Sequence, residues 1–202
     1  TGEKGSYGIY AEAEAGSGNK ITNAADITMT FAPEEEGGDD EEEQPTLPAN
    51  YGIYGWNVDI ENSGSVSITQ QNEKSEDVFG IVSEESSINN SGTVVINGNG
   101  SAVYAGGGSL TNSGSITLNG YGLIAEDGDL TNSGTVTLNG YGYAVLNDGG
   151  NLTNGGEIYL NGSGWGVYAK NGNLINNAGG NVTVNADDLA AISGLTLEGS
   201  GY

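Results

Sequence analysis

The sequence predicts an all-β fold: a parallel β-solenoid (β-helix) of about seven coils, each 20–22 residues long. Three observations predict it. An eleven-residue motif recurs at near-constant steps. Each repeat holds short stretches of strict two-residue alternation. Glycine is abundant, 37 residues of 202, and no stretch has a sustained 3.6-residue period.

The motif is clearest as Leu110-Thr-Asn-Ser-Gly-Ser-Ile-Thr-Leu-Asn-Gly120. It returns as Leu130 to Gly140 and Leu152 to Gly162, and upstream as Ile88 to Gly98. Weaker copies begin at Ile21, Ile60 and Leu174, with a partial one at Leu195. Coils therefore start near residues 21, 60, 88, 110, 130, 152 and 174, and residues 1–202 read as one β-helical segment. The pattern reaches both ends of the chain, as expected of a piece of a longer protein. A propeller blade needs about 40 residues, and a leucine-rich horseshoe needs a helical half, so a repeat of this length stacks on itself. With strands about 4.8 Å apart, seven coils make a rod about 35 Å tall.

Within each coil the pair Ile116 and Leu118 alternates with Ser115 and Thr117, and Val136 and Leu138 alternate with Thr135 and Thr137. Such spacing describes a half-buried strand. Ile116, Leu118, Val136, Leu138, Ile158 and Leu160 are the expected core. Two residues after each coil start comes Asn23, Asn62, Asn90, Asn112, Asn132, Asn154 and Asn176. Identical amides at strand spacing predict a hydrogen-bonded ladder. The Asn-Gly pairs at Asn97, Asn119, Asn139 and Asn161 are expected to mark corners needing φ > 0.

A four-place piece precedes each coil start: Tyr7-Gly-Ile-Tyr10, Tyr51-Gly-Ile-Tyr54, Phe79-Gly-Ile-Val82, Ser101-Ala-Val-Tyr104, Tyr121-Gly-Leu-Ile124, Tyr143-Ala-Val-Leu146, Trp165-Gly-Val-Tyr168 and Leu189-Ala-Ala-Ile192. The third place is always aliphatic and reads as core. Plain alternation then takes the first place inward with it. The fourth place, with Tyr10, Tyr54, Tyr104 and Tyr168, is left facing out unless a corner intervenes.

Two coils are too long, and both swell at the same point. The first insertion spans 31–50, and its block Glu34, Glu35, Glu36, Asp39, Asp40, Glu41, Glu42 and Glu43 repels itself. The second spans 70–77. A solubilising loop is the plain reading, and a docking point for a basic partner or a calcium site is the functional one. Neither the EF-hand spacing nor a Gly-Gly-x-Gly-x-Asp calcium repeat is present.

Composition excludes several chemistries. The chain has no Cys, no His and no Arg, so disulfides, thiol chemistry, imidazole bases and the Ser-His-Asp triad are absent. No cofactor and no metal ligand set is expected. Four Lys face 27 Asp plus Glu, giving a net charge of −23, which repels phosphate backbones and argues against nucleic acid. A glycoside hydrolase needs two carboxylates flanking a groove. The acids outside the insertion, such as Asp127, Asp148 and Glu157, form no such pair in the sequence, so an enzyme is not expected. An ice-binding face would need a regular Thr row. The outward places beside the core pair read Thr28, Ser67, Val95, Thr117, Thr137, Tyr159 and Thr183, broken by Val and Tyr.

The Asn-Ser-Gly-Thr-Val/Ile-Thr-Leu-Asn-Gly repeat, with intervening Tyr-Gly-Ile-Tyr and Ala-Val-Tyr-Ala pieces, resembles the passenger domains of type V autotransporters of Gram-negative bacteria. The resemblance runs from about Tyr7 to Leu197. It implies a β-helix displayed at the bacterial cell surface, anchored through a C-terminal outer-membrane barrel that lies outside this sequence. It also implies an adhesin role: attachment to a host-cell or bacterial surface protein or glycan, or self-association. The alternative is a non-binding spacer that presents a distal adhesive module. The candidate binding residues are Tyr51, Tyr54 and Trp56, the densest group of large aromatics, together with the acidic block. Tyr and Trp join a large apolar area to a hydrogen-bonding tip.

Overall fold

A computed structural model describes residues 6–31, 49–70, 78–98, 100–162 and 164–185. The chain winds as a parallel β-solenoid whose three faces are each a seven-stranded sheet. No helix occurs among the described residues. The first sheet holds β1 (Tyr7–Glu12), β4 (Asn50–Trp56), β7 (Val78–Glu84), β10 (Gly100–Gly106), β13 (Tyr121–Glu126), β16 (Gly142–Asp148) and β19 (Gly164–Lys170). The second holds β2 (Lys20–Asn23), β5 (Asp59–Asn62), β8 (Ile88–Asn90), β11 (Leu110–Asn112), β14 (Leu130–Asn132), β17 (Leu152–Asn154) and β20 (Leu174–Asn176). The third holds β3 (Asp26–Phe31), β6 (Ser65–Gln70), β9 (Thr93–Asn97), β12 (Ser115–Leu118), β15 (Thr135–Leu138), β18 (Glu157–Leu160) and β21 (Asn181–Val184). Each strand pairs in parallel with its counterpart one coil away, Leu110 with Leu130 and Ile116 with Val136.

The core is a set of aliphatic columns running along the axis. Ile116, Leu118, Val136, Leu138, Ile158 and Leu160 are at most 1% exposed, and Ile53, Ile81, Val103, Leu123 and Val145 are fully buried beside them. Fully burying one such side chain is worth roughly 1.5–3 kcal/mol. The Asn column faces the same interior. Asn62 donates to Asn90 Oδ1 at 2.7 Å, Asn90 to Asn112 at 2.8 Å and Asn132 to Asn154 at 2.8 Å. A second amide hydrogen reaches the carbonyl of the residue two places on, as from Asn132 to Gly134 at 3.4 Å. Burial of these polar side chains is therefore compensated.

Two expectations are corrected, and the first concerns the corners. Of the Asn-Gly glycines, Gly98 has φ +143°, but Gly120, Gly140 and Gly162 are not in the positive-φ region. Their reason is contact: a Cβ at any of the three would run into a backbone oxygen of the coil below. In two coils positive φ at that corner falls two residues later, on Gly142 (151°) and Gly164 (150°), and a second left-handed corner lies between the first and second sheets. Asn57 (φ 53°), Glu85 (62°), Gly107 (84°), Asp127 (59°), Gly149 (106°) and Asn171 (56°) occupy it, one per coil.

The second correction concerns the first sheet. Its strands do not alternate evenly. Along β4, Asn50, Gly52, Ile53 and Gly55 are buried, whereas Tyr51 and Tyr54 are half-buried and Trp56 is exposed. Two consecutive inward residues mark a bend at the second place. At Gly52 that bend admits only a hydrogen, because a Cβ there would sit 2.5 Å from Val66 Cγ1 and 2.6 Å from the Gly80 oxygen, and no coil carries more than a methyl at this place. Ala102 and Ala144 fill the same place and are fully buried. The bend resets the alternation, so the first and fourth places face out together.

The insertions attach at one corner. Phe31 and Gln70, where they leave the third sheet, are register partners, and so are Asn50 and Val78, where the chain re-enters the first. Residues Glu34 to Glu43 and 71–77 lie outside the described residues.

Candidate binding face

The bend gives the first sheet an outer face of three columns. The first reads Tyr7, Tyr51, Phe79, Ser101, Tyr121, Tyr143, Trp165. The second reads Tyr10, Tyr54, Val82, Tyr104, Ile124, Leu146, Tyr168. The third is largely acidic: Glu12, Trp56, Glu84, Gly106, Glu126, Asp148, Lys170.

The rings stack at the spacing of the coils. Tyr7 and Tyr51 lie 5.1 Å apart with planes 7° apart, and Tyr51 and Phe79 5.2 Å and 14°. In the neighbouring column Tyr10 and Tyr54 stack at 5.5 Å. The columns interlock edge to face, Tyr51 against Tyr54 at 5.0 Å and 67°. Such pairs add about 0.5–1.5 kcal/mol beyond area burial. A second block repeats the arrangement: Tyr121 on Tyr143 at 5.8 Å, and Tyr143 on Trp165 at 4.7 Å.

Phenols of the second column lean over the acidic column. Tyr104 donates to Glu126 at 2.8 Å. Burial first, then that hydrogen bond and the Glu126 charge, push its phenol up to about 12. The hydrogen bond to Glu12 pushes Tyr10 up to about 12 as well. Tyr54 is raised too, by burial and then by the Glu84 charge and hydrogen bond. These hydroxyls are thus held protonated and aimed at carboxylates. At the far end Lys170 binds Asp148 at 2.6 Å and holds its carboxyl below the usual range, with Asn171 adding a second donor.

The candidate residues Tyr51, Tyr54 and Trp56 thus share this face and one strand. Trp56 is 40% exposed and lies in register between Glu12 and Glu84. The acidic block Glu34 to Glu43 cannot be placed against them, since it falls outside the described residues. Sequence reasoning passed over the second aromatic block and the carboxylate column. Their signal was the spacing of places one, four and six in each strand, which alternation scatters over two faces. Among the described residues no three acids converge as a metal site. Comparison with protein-family models, curated proteins and solved structures finds no match.

Proposed function

We propose that this chain is a passenger segment of a surface-displayed bacterial adhesin of the autotransporter kind, and that it touches its partner through the outer face of the first sheet. The supporting observation is the uneven distribution of rings. Tyr7, Tyr10, Tyr51, Tyr54 and Trp56 cluster on that face. The outward rows of the third sheet are mostly Thr, Ser and Asn. Large rings beside fixed polar tips are the composition of binding hot spots. The partner is a host-cell or bacterial surface protein or a glycan. A second copy meeting this face would bring a like charge of −23 against it.

The spacer reading has its own support, the regular coils and an Asn ladder that satisfies itself. One assay separates the two. The chain is tested for binding to host cells, to bacterial cells and to itself, with Tyr54→Ala and Trp56→Ala beside it. Loss of binding in both variants, with an unchanged circular dichroism spectrum, is expected of the adhesive face. A wild-type chain that binds none of these, while a longer protein containing it adheres, makes this segment a stalk.

A further inference from the structure

The third outward column of the first sheet begins with a glutamate in every second coil. Glu12, Glu84 and Glu126 stand on its first, third and fifth strands, with Trp56 and Gly106 in register between them. Two strand spacings set successive glutamates about 9.6 Å apart along the rod. A phenol of the neighbouring column fixes each one. Glu12 accepts from Tyr10, Glu84 from Tyr54 and Glu126 from Tyr104. The phenol takes one acceptor position of a carboxylate and leaves the others open. Among the described residues none of the three glutamates forms an ion pair; Lys20 binds Glu61, and Lys170 binds Asp148.

The same column shows what such a carboxylate takes up. Asp148 occupies this place in the sixth strand, and Lys170, its register partner in the seventh, meets it at 2.6 Å. Upstream the carboxylates stand ready and the ammonium is missing. Trp56 adds a surface for the stem that would carry one. Its indole is 40% exposed and, with Glu12, Ala13 and Glu14, lines an open hollow of about 570 Å³. The aliphatic part of a Lys or Arg packs on such a ring, while its charged head reaches Glu12 or Glu84 in the coils on either side.

The spacing selects the backbone of the partner. A β-strand presents one face every two residues, about 6.7 Å, and over both intervals falls about 6 Å short of the glutamates. An α-helix returns to one face after seven residues, about 10.5 Å, and overshoots by about 1.8 Å. A polyproline II segment returns after three, about 9.3 Å, and misses by about 0.6 Å. The tyrosine column beside the glutamates suits it further, since proline-rich segments dock on aromatic side chains.

We infer that Glu12, Glu84 and Glu126 form a docking line for a basic protein segment in the polyproline II conformation, with Lys or Arg at every third place and prolines against Tyr10, Tyr54 and Tyr104. This names the partner chemistry of the adhesive face and rests on that reading for its biological setting, but the docking line is tested without cells. The chain is titrated against three dye-labelled peptides of four lysines each, followed by fluorescence anisotropy at physiological salt. One repeats Lys-Pro-Pro, one repeats Lys-Pro, and one is a helix-forming peptide with Lys at every seventh place. The Lys-Pro-Pro peptide is expected to bind at least tenfold more tightly than the other two. Glu84→Gln and Glu126→Gln are each expected to weaken it at least fivefold with an unchanged circular dichroism spectrum. Glu157→Gln removes the same charge from the third sheet and is expected to bind within twofold of wild type.

Equal affinity for the three peptides, or an equal loss in Glu157→Gln, leaves only the diffuse pull of a chain of charge −23 and overturns the docking line. Absence of binding to the Lys-Pro-Pro peptide overturns it too. Should Glu84→Gln fail to fold, Glu126→Gln decides in its place. A chain that binds this peptide but no cell keeps the docking line and removes the adhesive reading. A chain that adheres through Tyr54 and Trp56, equally well as Glu84→Gln, and ignores the peptides keeps the adhesive reading and removes the docking line.

Discussion

Asn112 and Asn132, twenty residues apart in sequence, share a hydrogen bond of 2.8 Å between fully buried side-chain amides. The same bond recurs in every pair of adjacent coils from Asn23 to Asn176. Each amide between these two ends thus accepts from below and donates above, so a single substitution there disturbs two coil junctions at once.

Asn132→Ala removes a donor to Asn154 and an acceptor for Asn112. Both partners stay buried, so stability should fall by about 1–3 kcal/mol for each group left unpaired. Urea denaturation followed by circular dichroism measures it, and an unchanged midpoint would contradict the ladder's role.

Asn147→Ala should act in the opposite direction. Asn147 is fully buried in register between Ala125 and Ala169, and its amide has no hydrogen-bond partner among the described residues. Replacing it by the alanine of its neighbours relieves a buried polar group worth about 1–3 kcal/mol. A higher urea midpoint is expected, and a lower one would refute this.

Gly114→Ala and Gly155→Ala form a matched pair. A Cβ at Gly114 would strike the Gly92 oxygen in the coil below, whereas a Cβ at Gly155 comes no closer than 4.0 Å to anything. Overpacking of the first kind costs about 1–3 kcal/mol, and the second should lie within about 0.5 kcal/mol of wild type. Equal melting temperatures for the two would show that coil spacing does not dictate the glycine.

Glu85→Asn should stabilise. Glu85 is held at φ 62°, in the column where Asn57 and Asn171 stand in other coils. Asn tolerates this conformation, which costs other residues about 1–2 kcal/mol. The change also removes one charge from an acidic neighbourhood. A rise in melting temperature that shrinks but persists in high salt would separate the backbone effect from the charge.

Alkaline pH should loosen the outer face of the first sheet. The Tyr10 and Tyr104 phenols titrate near 12 when folded and near 10 when unfolded. Raised folded values mean their contribution to stability is whole below pH 10 and is lost as pH climbs from 10 towards 12. Tyrosinate absorbance of the native chain should lag behind that of the urea-unfolded chain through this window. Superimposable titrations would show that the Glu12 and Glu126 contacts do not hold in solution.

Repetition made most of the fold legible. Ile116 and Leu118 repeat as Val136 and Leu138, and seven Asn stand at one offset, so core and ladder follow from strand spacing alone. The outward face was less legible. Alternation puts Tyr51 and Tyr54 on opposite sides, and only the steric limit at Gly52, set by Val66 and Gly80, turns them the same way. That limit comes from residues one sheet and one coil away, which local spacing does not contain. The same holds for Gly120, Gly140 and Gly162, chosen for the backbone beneath them and not for their own φ. The left-handed corner was hidden because Asn, Glu, Gly and Asp all occupy it.

The parallel pairing of every strand with the next coil has a mechanical consequence. All three ladders of hydrogen bonds point along the rod, so axial tension opens them in sequence and does not shear them together. A terminal coil can therefore peel away while its neighbour stays wound. From Ile88 onward each one that peels releases 20–22 residues, about 70 Å of slack at about 3.3–3.6 Å per residue, against the ~4.8 Å it occupied when folded, and the two coils that carry the insertions release more. Under load such a rod would lengthen in near-even steps over its regular coils and dissipate work at each one, as a ripping seam does.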